Sequence, residues 1–475
     1  MLQEEIDAVK MSTQTDVVLV RKCDSYDREA IESIVVDGMA QLGFSPKGKV
    51  FVKPNVVFAN KPEIYGTHAY TAAAFVGASL KALADADDVE RVDLGENSAV
   101  GFPTRVNYKY AGYYKEVRRV RKQVSCPVGI FCMDEERRDP LFVGGRVHDT
   151  LRVSRKMARA DTKVYLPKLK CHCVSNMTGA VKLNVGICCD DERSIRHDFL
   201  LHEKIVDLLD VGVPDFIVMD AIEVGVGNEA FPSPRKLGLI LMGTNPVAVD
   251  LIGARLLGFS LDDVPYLRAA VDRGYTPSDI GQIRLTGDVQ SLDDIDAQAR
   301  KLLPYDDEFN RWNDVHRELA RLESPIRFVW GPHAEKQGVK CGTGCVMGLK
   351  MFLGAMERFA GAEAFKQARP VVFVIGRCDE TIDASGSEVF LLGYCAAAEI
   401  KNAKKVIHIK KCFTTASDMN LKLANRLGMR SPMRDIRGLA PLFWNILVAG
   451  VRKIFTLRYF QDMHHFFSKS LIRRV

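Results

Sequence analysis

The segment 166–186, LPKLKCHCVSNMTGAVKLNVG, carries three lysines, a histidine and two cysteines directly after the strand-like run TKVY. If 163–172 is a strand, side-chain alternation puts Lys168, Lys170 and His172 on one face. An ammonium taken out of water without a partner costs several kcal/mol, so these heads must meet solvent, a carboxylate or an anionic ligand. A solvated strand end laced with salt bridges is the plain account. Pro167, with no backbone N–H to give a ladder, marks a strand end or edge where loops open. The loop after it supplies Thr178, Gly179, Lys182, Asn184 and Gly186, a set of donors suited to an anion.

Two other strand ends repeat the theme. VKPN sets Lys53 and Asn55 at the end of an apolar run, and Asp220 ends FIVMDAI before the glycine-bearing turn 225–228. Together they predict a site for a small carboxylate or phosphate metabolite. Lys53, Lys168, Lys170 and Lys182 would clamp it, with Asn55, Thr178, Gly179 and Asn184 as further contacts. Lys170 would sit beside a histidine, His172 or His197, able to exchange protons near neutral pH. His197 and His202 are five apart, a poor spacing for two metal ligands on one helical face. Cys171, Cys173, Cys188 and Cys189 are candidate nucleophiles, although most cysteines are simply buried small hydrophobes, the reading given to Cys23, Cys126 and Cys132. The turn GVGNEA lacks the third glycine and helix start of a dinucleotide fingerprint.

A second constellation lies further on. Cys341 and Cys345 stand in KCGTGC, and Cys378, Cys395 and Cys412 each follow a strand-like run. Strand-end thiols can converge, and four thiolates suit a 4Fe–4S cluster or zinc, the latter with His408 as a further ligand. The ferredoxin run of closely spaced cysteines and the radical-SAM spacing are both absent. Such a cluster could relay electrons or be purely structural.

The elements that must position these groups alternate. Strands are predicted at 16–22, 49–55, 90–96, 162–170, 215–222 and 237–243, with helices such as 27–43 between them. In TNPVAVDLIGARLLG, Thr244 or Asn245 caps, Pro246 opens and Gly258 closes a helix. This pattern predicts an α/β fold: an open, largely parallel sheet with flanking helices over 1–290, a helical linker over 291–335, a smaller α/β cysteine-bearing domain over 336–435, and a basic amphipathic tail over 436–475. In such sheets a ligand sits beyond the carboxyl ends of the strands.

In this order, VRKCDSYDREAI, VFVKPNVV, LPKLKCHCVSNMTGAVKLNVG, VMDAIEVGVGN and GTNPVAVDLIGARLLG resemble the domain-of-unknown-function 362 family over about residues 15–285. The resemblance implies an α/β fold and an association with iron–sulfur modules in anaerobes, but it assigns no chemistry to the polar positions. Lys53, Asn55, Lys168, Lys170, His172, Thr178, Gly179, Lys182, Asn184 and His197 match them.

With a net charge of only +6 over 475 residues and no nucleic-acid motif, nucleic acid is not an expected partner. The acidic, polar N-terminus is unlike a secretory signal, and twelve cysteines without one point to reduced thiols in the cytoplasm. The tail 438–475 carries six basic residues against one acid, with aromatics throughout, and predicts either a packed helix pair or peripheral contact with an anionic membrane. The expectation is an iron–sulfur oxidoreductase acting on a small anionic metabolite, with a redox partner protein. The alternatives are a non-redox metal-binding or cluster-assembly protein, and a lyase or isomerase using His172 and a lysine.

Overall fold

The computed structural model describes residues 15–99, 102–194, 197, 200–303, 312, 314–331, 335–336, 339–340 and 343–461. Twelve strands come first: β1 (Val17–Lys22), β2 (Gly48–Pro54), β3 (Val89–Glu96), β4 (Val128–Cys132), β5 (Arg138–Phe142), β6 (Thr150–Ser154), β7 (Thr162–Leu166), β8 (Lys168–His172), β9 (Asn176–Thr178), β10 (Phe216–Val226), β11 (Ser233–Gly243) and β12 (Arg284–Gly287). Apart from the β5–β6 hairpin they form one sheet in the order β12-β1-β11-β10-β7-β2-β3-β4, with β8 on β10 and β9 on β8. Along this order β11 runs antiparallel to its neighbours and the other pairs are parallel. The chain is thus an α/β protein with an open, largely parallel sheet.

Helices cover both faces because the parallel strands are apolar on both sides. Val18, Val20, Met219 and Leu241 pack into one layer; Leu19, Val52, Val218 and Met242 pack into the other. The helix Pro246–Leu256 forms as its signals dictate. Asn245 accepts the Val247 and Ala248 amides, and Pro246 occupies the first turn, where its missing N–H costs nothing.

Eight more strands follow: β13 (Arg327–Trp330), β14 (Glu335–Lys336), β15 (Val339–Lys340), β16 (Val371–Arg377), β17 (Ile382–Asp383), β18 (Glu388–Ala397), β19 (Ile400–Lys401) and β20 (Lys405–Ile409). A second, all-parallel sheet has the order β13-β16-β18-β20, while β14–β15 and β17–β19 are short ribbons. Because β13 belongs to this sheet, the helical segment read over 291–335 stops short of Arg327. The helix Cys345–Ala360 covers one face, and a long helix follows at Ile436–Phe455. Among the described residues no helix is long and apolar enough to cross a membrane.

Candidate functional site

Pro167 interrupts the ladder between β7 and β8 while its carbonyl still accepts the Asp220 amide at 2.9 Å. Beyond it the pairing with β10 slips: Lys168 lies opposite Asp220, but Lys170 lies opposite Gly225. That irregularity separates lysines that strict alternation would keep together. Lys168 turns to Tyr26, donating to its hydroxyl at 2.7 Å, and to Asp220 at 2.9 Å, and both members of that ion pair are fully buried. Lys170 and His172 enter a different space.

That space is a cavity of about 80 Å³ beyond the carboxyl ends of β2, β3 and β8. Asn55, Glu96, Ser98, Thr178, Arg193 and Glu229 line it together with Lys170, His172 and Lys182. Glu96, at the end of β3, is ion-paired with Lys53, so that lysine is satisfied one layer behind the wall. Burial pushes both members of this pair toward their neutral forms, against their mutual attraction. Arg193 spends its guanidinium on the carbonyls of Ser98 and, at 2.8 Å, Asn97.

The two lysines facing the cavity are unusual. Burial depresses Lys170 to about 7 and Lys182 to about 8, although the Glu229 carboxylate pulls both the other way. Lys170 donates to the Glu229 carbonyl oxygen. Glu229 itself is held below the ordinary carboxylate range: burial raises it, but the Cys173 side chain, its own backbone amide and Lys170 more than offset this. His172 Nδ1 accepts the Val174 and Ser175 amides at 3.1 and 3.4 Å, which leaves the ring proton on Nε2, 3.7 Å from Glu229. Burial keeps this imidazole neutral, far below its ordinary value. His172, Cys173 and Glu229 place one potential metal-ligand atom each within 4.8 Å of one another. Nε2, however, offers a proton there rather than a lone pair, so the trio reads first as a hydrogen-bonding wall.

Two hydroxyls complete the cavity. Thr178 Oγ1 and Ser98 Oγ are buried without a hydrogen-bond partner among the described residues. Buried polar groups are normally paired, and orphans on a cavity wall point to water or a ligand.

Other residues from the sequence reading serve the site from behind. Asn184 accepts the Tyr165 hydroxyl at 2.6 Å and does not line the cavity. Gly179 matters for what it lacks: a Cβ there would lie 2.2–2.5 Å from the Asp250 carboxylate. That carboxylate accepts the Ala180 and Val181 amides at 2.6 and 3.0 Å, anchoring the turn that carries Lys182. Cys171 and Cys188 are pushed up to about 12 by burial, which disfavours their thiolate forms. Glu96, Arg193 and Glu229 went unread. Glu229 follows directly on the glycine-bearing turn 225–228 that marks the Asp220 strand end.

His197 faces the second sheet. Its Nδ1 lies 2.6 Å from the Thr343 carbonyl oxygen, and its ring stacks on Phe413 at 4.4 Å. Burial lowers it to about 3, beside Lys204 and Lys182. It therefore stands between the lysine cavity and the cysteines.

Of those cysteines, Cys345 opens its helix, buried, and accepts the Thr414 amide at 3.2 Å. A Cβ on Gly393 would lie 3.0 Å from Cys345 Sγ and 3.8 Å from Cys395 Sγ, so the two thiols flank one glycine. Burial raises Cys345 to about 11, and Cys395 and Cys412 lie near enough to raise it further. Cys378 packs instead with Val372, Val374 and Val389 on the opposite face of the sheet. Cys341 lies outside the described residues.

Residues 50–255 match the family model described as "Domain of unknown function (DUF362)". No curated protein matches the chain. Among solved structures, the lactate racemase apoprotein from Thermoanaerobacterium thermosaccharolyticum aligns at 11% identity with a TM-score of 0.35, over 53% of this chain and 58% of that one.

Proposed function

We propose that the protein binds a small carboxylate- or phosphate-bearing metabolite in this cavity and moves a proton on it. One observation carries the reading: Lys170, Lys182 and Arg193 face a space in which Glu229 is the one carboxylate not already paired with a lysine, among the described residues. A cationic pocket short of negative charge is completed by an anion, and an anion restores the charged form of both lysines. Its oxygens would also satisfy the Thr178 and Ser98 hydroxyls.

The two roles divide by protonation state. As ammonium groups the lysines hold the ligand. Lys170, with its proton lost near neutrality, is an amine able to take a proton from the ligand and return it, which is isomerase or lyase chemistry. Neutral His172 presents Nε2–H to an oxygen that gains negative charge, and stays neutral while doing so. Titration calorimetry with a panel of small carboxylates and phosphates at pH 6 tests the first step. Absence of binding by every mono- and dianion would end the proposal.

A redox reading of the same site draws on the cysteines. Cys345, Cys395 and Cys412 offer a soft donor set with an amide already directed at sulfur, a fit for a 4Fe–4S cluster or zinc, with Cys341 as a fourth thiol. A cluster would supply one-electron chemistry, and His197 stacks on Phe413, next in sequence to Cys412, while it feels the charge of Lys182. An iron–sulfur oxidoreductase, with a redox partner protein and a cytoplasmic setting, follows from that reading.

A further inference from the structure

The C-terminal helix is docked the wrong way round for a water-exposed helix. At about 100° per residue, Phe443, Trp444, Leu447, Val451, Ile454 and Phe455 fall within an arc of about 120°. All six are exposed, between 45% and 82%. The side opposite the arc holds Ala449, which is buried. The anchors are polar: Thr456 Oγ1 donates to the Glu135 carbonyl at 2.6 Å, and Gln461 makes two backbone bonds with Arg138, at 3.1 and 3.0 Å. Asp435, just ahead of the helix, is ion-paired with Lys61. A helix that folds for burial turns its apolar face to the core, whereas here polar groups hold it and the aromatic face looks outward.

Basic groups surround that face. Arg452 is exposed on its edge. Immediately beyond the helix, Leu457 and Phe460 share an open groove of about 570 Å³ with Arg137, which is exposed, while Arg138 and Arg152 line its floor, bonded to backbone carbonyls and to Glu192 respectively. Self-association through this face would set arginines against arginines across a twofold axis, so a second copy is a poor occupant. A surface that is apolar at its centre and anionic around it is complementary.

We propose that this helix lies flat on an anionic bilayer. Its aromatic arc enters the acyl boundary, and the exposed Arg452 and Arg137 receive lipid phosphates. One apolar face suits lying in the interface rather than crossing it.

The test is co-sedimentation of the full chain with vesicles of phosphatidylcholine alone, or mixed equally with phosphatidylglycerol. Light scattering without lipid follows the oligomeric state. The expected result is a monomer that binds the mixed vesicles at least roughly tenfold more tightly than the neutral ones, and less tightly in high salt. Leu447→Glu should cut that affinity by roughly tenfold or more while leaving the melting temperature unchanged, because the side chain already faces outward. Blue-shifted Trp444 emission on binding, absent in Trp444→Phe, would place the arc in lipid. Equal binding to both vesicles would overturn the charge complementarity. A lipid-independent dimer dissolved by Leu447→Glu would give the face to a second copy. A monomer that binds neither vesicle would overturn the proposal outright.

Discussion

Removing the ammonium of Lys170 should make the ligand-free protein more stable and its anion binding weaker. Between the ordinary lysine value of 10.5 and the value of about 7 for Lys170, burial disfavours the charged form by about 5 kcal/mol. The sign follows from proton counting. Between pH 7 and 10.5 the unfolded chain keeps the proton that folded Lys170 has released, so this group's contribution makes stability rise with pH through that window. Its cost is therefore about 5 kcal/mol at pH 6 and about 2 kcal/mol at pH 9. Lys170→Met removes the cost. It also loses one hydrogen bond to the Glu229 carbonyl, about 2 kcal/mol; the attraction to the Glu229 carboxylate is already contained in the net cost. The expected gain is about 3 kcal/mol at pH 6 and close to none at pH 9. Sulfate is the suitable anion for the second half, because its charge is constant over this range. In the wild-type protein, Lys170 is about 1% protonated at pH 9 and Lys182 about 10%. Sulfate affinity should accordingly fall by up to about a thousandfold from pH 6 to pH 9, and Lys170→Met should flatten most of that slope. Urea unfolding and titration calorimetry at both pH values read the two effects. A sulfate affinity independent of pH, or a Lys170→Met protein less stable at pH 6 that still binds sulfate, would refute the reasoning.

Asp220→Asn leaves the Lys168 ammonium buried without its carboxylate, so urea unfolding should show a loss of about 3–5 kcal/mol, whereas sulfate affinity of the folded protein should hold because Lys168 does not line the cavity. Gly179→Ala drives a Cβ into the Asp250 carboxylate and displaces it from two amides; a loss of about 2–4 kcal/mol is expected, with Lys182 set free and sulfate binding weakened. On protein prepared without oxygen, metal and sulfide counted per chain should fall in Cys345→Ala, Cys395→Ala and Cys412→Ala and persist in Cys378→Ala, which packs on the other face. Iron and sulfide near four each would favour the redox reading, and metal-free wild-type protein would remove it.

The sequence was most readable where the signal is local. Strand runs such as DVVLVRK and LGLILMG, and the helix opened by Asn245-Pro246, stand where their apolar periods and caps put them, because those preferences are settled within a few residues. The family-matching segment also marked the neighbourhood of the cavity, since a lysine-rich strand after an apolar run requires a partner whatever the fold. Partner identity was not local. Lys168, Lys170 and Lys53 read alike in one dimension, but the Asp220 carboxylate, the Glu229 carbonyl and the Glu96 carboxylate that they meet lie 52, 59 and 43 residues away. A proline and a slipped β8–β10 register decide which of them meets Asp220, Glu229 or Glu96. The same holds for the thiols, where the pleat of the second sheet sends Cys378 to one side and brings Cys395 beside Cys345. Local sequence fixed which groups are chemically capable; only the three-dimensional pairing of charges decided which of them remain unsatisfied and so available to a ligand, because an ion's burial and its counter-ion are properties of the fold as a whole.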